Sequence, residues 1–327
     1  MRSRSAVWFG LSFSTCLVAC AQGSGSVGSG SGNEGLSALP TSSLKLIDVQ
    51  VSGDYLLGSG TISTPFNFAL QGTEFSAPRS VELSDRESTY WGTTLQVTLP
   101  SGWAVEFSYA RGTSDTSNLA TISEVDSMVS YQLDDSWYQI FGKYTFPGVS
   151  SRRFSAQIRF GGSWVDSELS AQGSFLSTSY SQVNNMTDWL GNVGFGLEYI
   201  LYETRDYRFK VRGVLEGEGF AGVRNQDIRE TVSYPLVDVT APQVTGTTEL
   251  DNLIYGGGGR LAIRLFYNVT ESGRLKVYAD GGVQTRYTRV NYPEVDTSTG
   301  GVQETEDLTV GEVLWGPFVR VGLLYRF

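Results

Sequence analysis

The chain has 327 residues and a formal net charge of −10, from 24 Lys and Arg against 34 Asp and Glu, so it lacks the basic footprint of a nucleic-acid binder. Histidine is absent, which excludes Ser-His-Asp hydrolysis, His-assisted acyl transfer and His-ligated zinc. Cys16 and Cys20 are the only cysteines, so the chain beyond them has no disulfide or thiolate metal site, and no cofactor is expected.

The chain opens on a basic head, Met1-Arg2-Ser3-Arg4, followed by a mostly apolar run from Ala6 to Cys20. That run is too short to cross a bilayer comfortably and leads into Gly and Ser, so residues 1–21 read as a secretory signal peptide. "LVAC" (17–20) has the form of a bacterial lipobox and makes Cys20 a candidate for lipidation. "ACA" (19–21) offers an ordinary small-x-small cleavage site, and both readings stay open. Residues 22–43 are a Gly/Ser-rich flexible linker, and residues 44–327 form a single β domain.

The chain holds 39 Gly, 17 Tyr, 17 Phe and seven Trp, a mixture that closed β-barrels use. From Tyr90 onward the sequence alternates with period two, the signature of a strand with one apolar face. Trp91, Thr93, Leu95, Val97 and Leu99 share a phase; "PSG" turns the chain; Trp103, Val105, Phe107 and Tyr109 return. Tyr138 to Phe146 and Phe154 to Trp164 form the next pair around "PGVSSRR". Val193 to Leu201 and Tyr207 to Leu215 follow around "ETRD", then Leu253 to Tyr267 and Leu275 to Tyr287 around "NVTESGR". The run from Val313 to Phe327 makes a ninth strand. A single-chain bacterial barrel needs an even number, so a further strand must lie in 36–89, where "LKLIDVQVSGDYLLG" (44–58) and "TPFNFALQGTEFS" (64–76) both qualify. The expectation is an all-β, transmembrane, antiparallel up-and-down barrel of ten strands, with eight or twelve as alternatives. Twelve would require "RSVELSDRE" (79–87) as a separate strand.

The connections differ at the two ends. Short turns alternate with polar stretches at 113–129, 166–189, 223–251 and 289–311, which read as long, acidic extracellular loops. Trp and Tyr cluster at both ends of the apolar phase, as side chains with a wet and a dry part do at membrane interfaces. From Trp315 to Phe327 a tilted strand rises about 30 Å, enough to bracket a hydrocarbon slab.

The opposite phase collects the charges. Glu106, Lys143, Arg159, Glu198, Arg208, Lys210, Arg212, Glu216 and Glu218 point away from lipid on this reading. So do Arg260, Arg264, Lys276, Asp280, Arg286, Arg320 and Arg326. A charged network filling the lumen is expected, with an open anion-preferring lumen as the rival, since basic members outnumber acidic ones. "YGGGGR" (255–260) lacks phosphate-loop spacing and runs straight into a strand, so its glycines read as room for wall bending or close approach. The neighbours Asp134 and Asp135 read as solvated residues rather than an acid dyad.

The alternating strands, the turn and loop asymmetry and the terminal aromatic strand together resemble the small bacterial outer-membrane β-barrel proteins, of OmpA-like and omptin-like size. The resemblance covers residues from about 44 to 327 and rests on no family-specific motif. It implies residence in the outer membrane of a bacterial cell, in contact with outer-membrane lipid and lipopolysaccharide. It also implies that Val319, Val321, Leu323, Tyr325 and Phe327 serve as the signal read by the barrel-assembly machinery, and that no periplasmic domain follows. The known enzymes of this size class rely on a histidine, so the resemblance implies no catalysis here. The expected role is structural or surface-interacting, with a small anion-preferring diffusion channel as the alternative. No extracellular ligand is indicated.

Overall fold

The computed structural model describes residues 47–66, 79–122, 125–147, 150–151, 153–175, 178–233, 243–299 and 302–327. The expected signal peptide, linker and Cys20 lie outside the described residues. Ten strands form the wall: β1 Asp48–Phe66, β2 Arg79–Thr98, β3 Trp103–Ile122, β4 Val125–Thr145 and β5 Phe154–Phe175, then β6 Thr178–Glu203, β7 Phe209–Ser233, β8 Gln243–Asn268, β9 Leu275–Thr299 and β10 Val302–Arg326. Each pairs antiparallel with its neighbours, and β1 pairs with β10 to close the barrel. The count is ten because the candidate at 44–58 supplies β1, while "RSVELSDRE" belongs to the start of β2. Of the other candidate, Thr64 to Phe66 end β1, and the rest lies outside the described residues.

Alternation sorts the side chains. The phase read as apolar faces outward: Trp91 is 51% exposed, Leu261 59% and Val321 54%, and their neighbours form a continuous band around the wall. A soluble protein does not leave so large an apolar band in water, whereas a closed wall with every strand paired is what hydrocarbon demands. Aromatic rings mark both edges of the band. On β2 to β6, Trp91, Tyr109, Tyr138, Trp164 and Trp189 touch in series, with ring centroids 5.8, 5.1, 5.2 and 5.5 Å apart. At the other edge Trp103 meets Tyr144 at 4.9 Å, and Tyr325 meets Phe327 at 4.7 Å. The chain is a transmembrane β-barrel of the bacterial outer-membrane type.

The long loops are a correction. Residues 113–122 and 125–129 continue β3 and β4, which stay paired out to Ile122 opposite Val125. Likewise β5 and β6 pair out to Phe175 opposite Thr178, and β9 and β10 out to Thr299 opposite Val302. These segments hide their strand character because beyond the bilayer the outward face no longer has to be apolar, which removes the strict alternation that marks the other strands. Beyond Trp315, β10 runs on to Val302, roughly 30 Å further along the barrel axis, so the wall rises well clear of the bilayer. At the other end the turns are tight. Gly102 has φ 88° and Tyr207 has φ 57°, the one non-glycine residue in the left-handed region among those described. Tyr207 therefore lies in the β6–β7 turn and not in β7 as its phase suggested.

The barrel lumen as candidate functional site

The inward phase brings charges of different strands together at the level nearest the short turns. Lys143 of β4 donates to Glu106 of β3 at 2.5 Å and to Gln96 of β2 at 3.1 Å. Arg264 of β8 forks onto Asp280 of β9 at 2.7 and 2.8 Å and reaches Glu198 of β6 at 2.6 Å, where Arg212 of β7 also donates at 2.7 Å. Arg260 donates to Asp280 at 3.1 Å and lies 3.8 Å from Glu216. Arg159 donates to Glu218 at 2.6 Å and stands 4.0 Å from Glu216. At the closing seam Arg320 pairs with Asp54, and Arg326 forks onto Asp48 at 2.7 and 2.6 Å. Lys210 pairs with Glu203 nearer the rim. Lys276 faces the same space without an ion-pair partner among the described residues. Arg208 departs from the list: it sits in the β6–β7 turn, half exposed, beside Asp206 and Glu271. In that turn a hydrogen bond from Thr204, with help from the Arg208 backbone, holds the Asp206 carboxyl below its usual range.

Apolar side chains pack between and beyond these ion pairs. Val165, Leu190, Phe220, Ile254 and Val290 form one buried cluster, and Leu56, Tyr90, Val214, Ala262 and Phe318 form a second. Trp137 packs against both and so bridges the lumen. Arg286 lies between two rings, its guanidinium carbon 4.1 Å from the centroids of both Trp137 and Phe220. The nearest carboxylate to Arg286 is Glu218 at 4.0 Å, already engaged by Arg159. The large rings fit because glycine stands beneath them: a Cβ on Gly112 would fall 2.1 Å from the Tyr90 ring, and one on Gly256 2.6 Å from the Phe220 ring. Above this layer Tyr90 donates to Asp135 at 2.5 Å, while Arg224 forks onto Asp188 at 2.7 and 3.0 Å and reaches Glu312 at 2.9 Å.

Among the described residues, cavities of about 220 and 40 Å³ lie in the lumen, and Tyr90, Trp137, Arg286 and Leu314 line both. The stack is thus the partition between them.

Several participants escaped the sequence reading. Asp48 and Asp54 sit on β1, whose strand was recognised but whose phase was not assigned; alternation against Val51 and Tyr55 would have found them. Asp135 is buried rather than solvated, while Asp134 is on the opposite face. The inward aromatics Trp137, Phe220 and Phe318 share the charged phase, where alternation alone does not mark a ring as part of a packed layer. The five residues read as an assembly signal, Val319 to Phe327, all face outward within the apolar band.

No protein-family model matches the chain, and no curated protein matches it. Among solved structures it is similar to the outer membrane protease OmpT of Escherichia coli, at 13% identity over 90% of this chain and 99% of that one, with a TM-score of 0.49. It is similar also to the β domain of the Bordetella autotransporter BrkA, at 13% identity over 86% and 100% of the two chains, with a TM-score of 0.38. The outer membrane protein OprG of Pseudomonas aeruginosa aligns at 10% identity over 86% and 97%, with a TM-score of 0.26. These neighbours share with the chain the outer-membrane barrel form, and at such scores nothing of what they do carries over.

Proposed function

We propose that this outer-membrane barrel has a closed lumen and serves as a non-catalytic structural and surface-interacting protein. The observation that supports this most is the transverse stack of Trp137, Arg286 and Phe220, which joins the two apolar clusters across the lumen. A ten-stranded wall leaves little space beyond its own side chains, and here bulky rings occupy it. The charged network beneath gives the wall cross-strand ties, which suits a stiff cylinder better than a conduit. The paired strands above the bilayer then present a rigid polar surface to the outside. On the same reading the outer band meets lipid and lipopolysaccharide, and the barrel-assembly machinery inserts the chain. Planar-bilayer recording of the refolded protein tests the closed lumen. Baseline current with no steady steps is expected, and sustained anion-selective openings would overturn the reading in favour of a small diffusion channel.

A further inference from the structure

The larger cavity, of about 220 Å³, lies between the aromatic stack and the ion-pair layer, and its lining is unbalanced in two independent ways. The first is charge. Lys143, Arg159, Arg260, Arg286 and Arg320 line it against Asp54, Glu106, Glu216 and Glu218, one cation in surplus within this lining, while Arg286 also borders the smaller cavity with Asp135, Asp188 and Glu312. Arg286 is that cation, since its nearest carboxylate is 4.0 Å away and serves Arg159 at 2.6 Å. The second is hydrogen bonding. Among the lining side chains the buried polar atoms without a partner are Trp137 Nε1, Arg159 Nε and Arg260 Nε, all of them donors. Buried donors left unmatched are costly, and a guanidinium makes its strongest bonds to oxyanions. The Arg286 guanidinium is also packed against two rings, each centroid 4.1 Å from its carbon, so it is already restrained and loses little freedom on meeting an acceptor.

We propose that this cavity is a binding site for one small oxyanion, a carboxylate or a phosphate, held by Arg286 with Arg159, Arg260 and Trp137 Nε1. A compact anion with two or more oxygens answers both imbalances at once: it neutralises the surplus cation and accepts from the unmatched donors. A neutral apolar guest answers neither, and a cation worsens the first. The site goes beyond the closed-lumen reading and does not depend on it, because occupancy is read at equilibrium without any current.

The test uses the refolded barrel in detergent at fixed ionic strength, titrated separately with sodium acetate, inorganic phosphate and sodium chloride, with thermal unfolding and calorimetry as readouts. Saturable stabilisation by acetate or phosphate is expected, with chloride at least ten-fold weaker, and the preferred oxyanion separates the carboxylate source from the phosphate source. Arg286→Met, which keeps an unbranched apolar side chain but removes the guanidinium and its donors, is expected to weaken that binding at least ten-fold. Trp137→Phe keeps a ring in the stack and removes one donor; it covers the case in which the arginine variant fails to fold, and a several-fold loss is expected. Equal effects of the three salts, no saturation, or unchanged affinity in Trp137→Phe together with Arg286→Met would overturn the site.

Discussion

Gly112→Val is the most direct probe of how the lumen is packed. The Tyr90 ring lies over Gly112, and a Cβ there would sit 2.1 Å from the ring, with further ring atoms at 2.2 and 2.6 Å. The ring cannot yield in place, because its hydroxyl donates to the buried Asp135 carboxylate at 2.5 Å. The variant must therefore swing Tyr90 aside, adding an overpacking cost of about 1–3 kcal/mol to the loss of a charge-assisted hydrogen bond, about 1.5–3 kcal/mol. A destabilisation of about 2.5–6 kcal/mol is expected, read as a lower urea midpoint for the refolded barrel and as loss of heat-modifiable gel migration at a lower temperature. Gly112→Val combined with Tyr90→Ala should recover part of the overpacking loss, since the clash is then gone. If Gly112→Val alone unfolded within 0.5 kcal/mol of the parent, the picture of rings seated on glycines would be wrong, and with it the filled lumen.

Two further expectations address the network and the membrane band. Lys143→Met leaves Glu106 buried without its cation and should cost about 3–5 kcal/mol, whereas Lys143→Met with Glu106→Leu should be near neutral, both read by equilibrium unfolding. Leu261 faces outward midway between Tyr255 and Tyr267, so Leu261→Arg should cost about 2–4 kcal/mol in a bilayer. Val183, also outward but six residues beyond Trp189, should tolerate Arg within about 0.5 kcal/mol; similar costs at both sites would misplace the membrane.

The parts of this fold legible in the sequence are those that lipid dictates. Hydrocarbon on one side and a lumen on the other force a strict period of two, so the outward phase of nine strands could be read residue by residue, and the parity of a closed wall supplied the tenth. Once the wall leaves the bilayer that constraint ends, which is why Asp115 or Ser117 looked like loop while belonging to paired strands. The lumen was half legible. Phase says that Arg264 points inward, but not that it meets Asp280 on the next strand and Glu198 two strands away. Those partners depend on register and stagger between strands, which no single strand encodes. Trp137 and Phe220 were obscured for a different reason: an aromatic on the polar phase looks like an exception until the barrel closes and supplies the second wall it packs against.

The seam between β1 and β10 has a consequence for assembly. Its two strands are far apart in sequence, with Arg320 266 residues after Asp54 and Arg326 278 residues after Asp48. Every other strand contact can form between immediate neighbours, so this one carries the largest loop-closure penalty, and it is the contact that closes the barrel. Until then two unpaired edges stand open, and an open edge in a membrane is an invitation to the wrong partner. The charges offer a solution: β10 arrives with Arg320 and Arg326, β1 waits with Asp54 and Asp48, and a slip of one residue in β10 would turn both arginines toward lipid and away from their partners. The opposite charges act as a keyed fastening, rewarding only the correct alignment. Pairing lapses at Leu57 and Gly58, across from Gly316 and Pro317, where proline has no N–H to give. That break leaves the fastener's two charged ends to hold the closure on their own side of the gap, and makes the seam the place where a strained cylinder would first unzip.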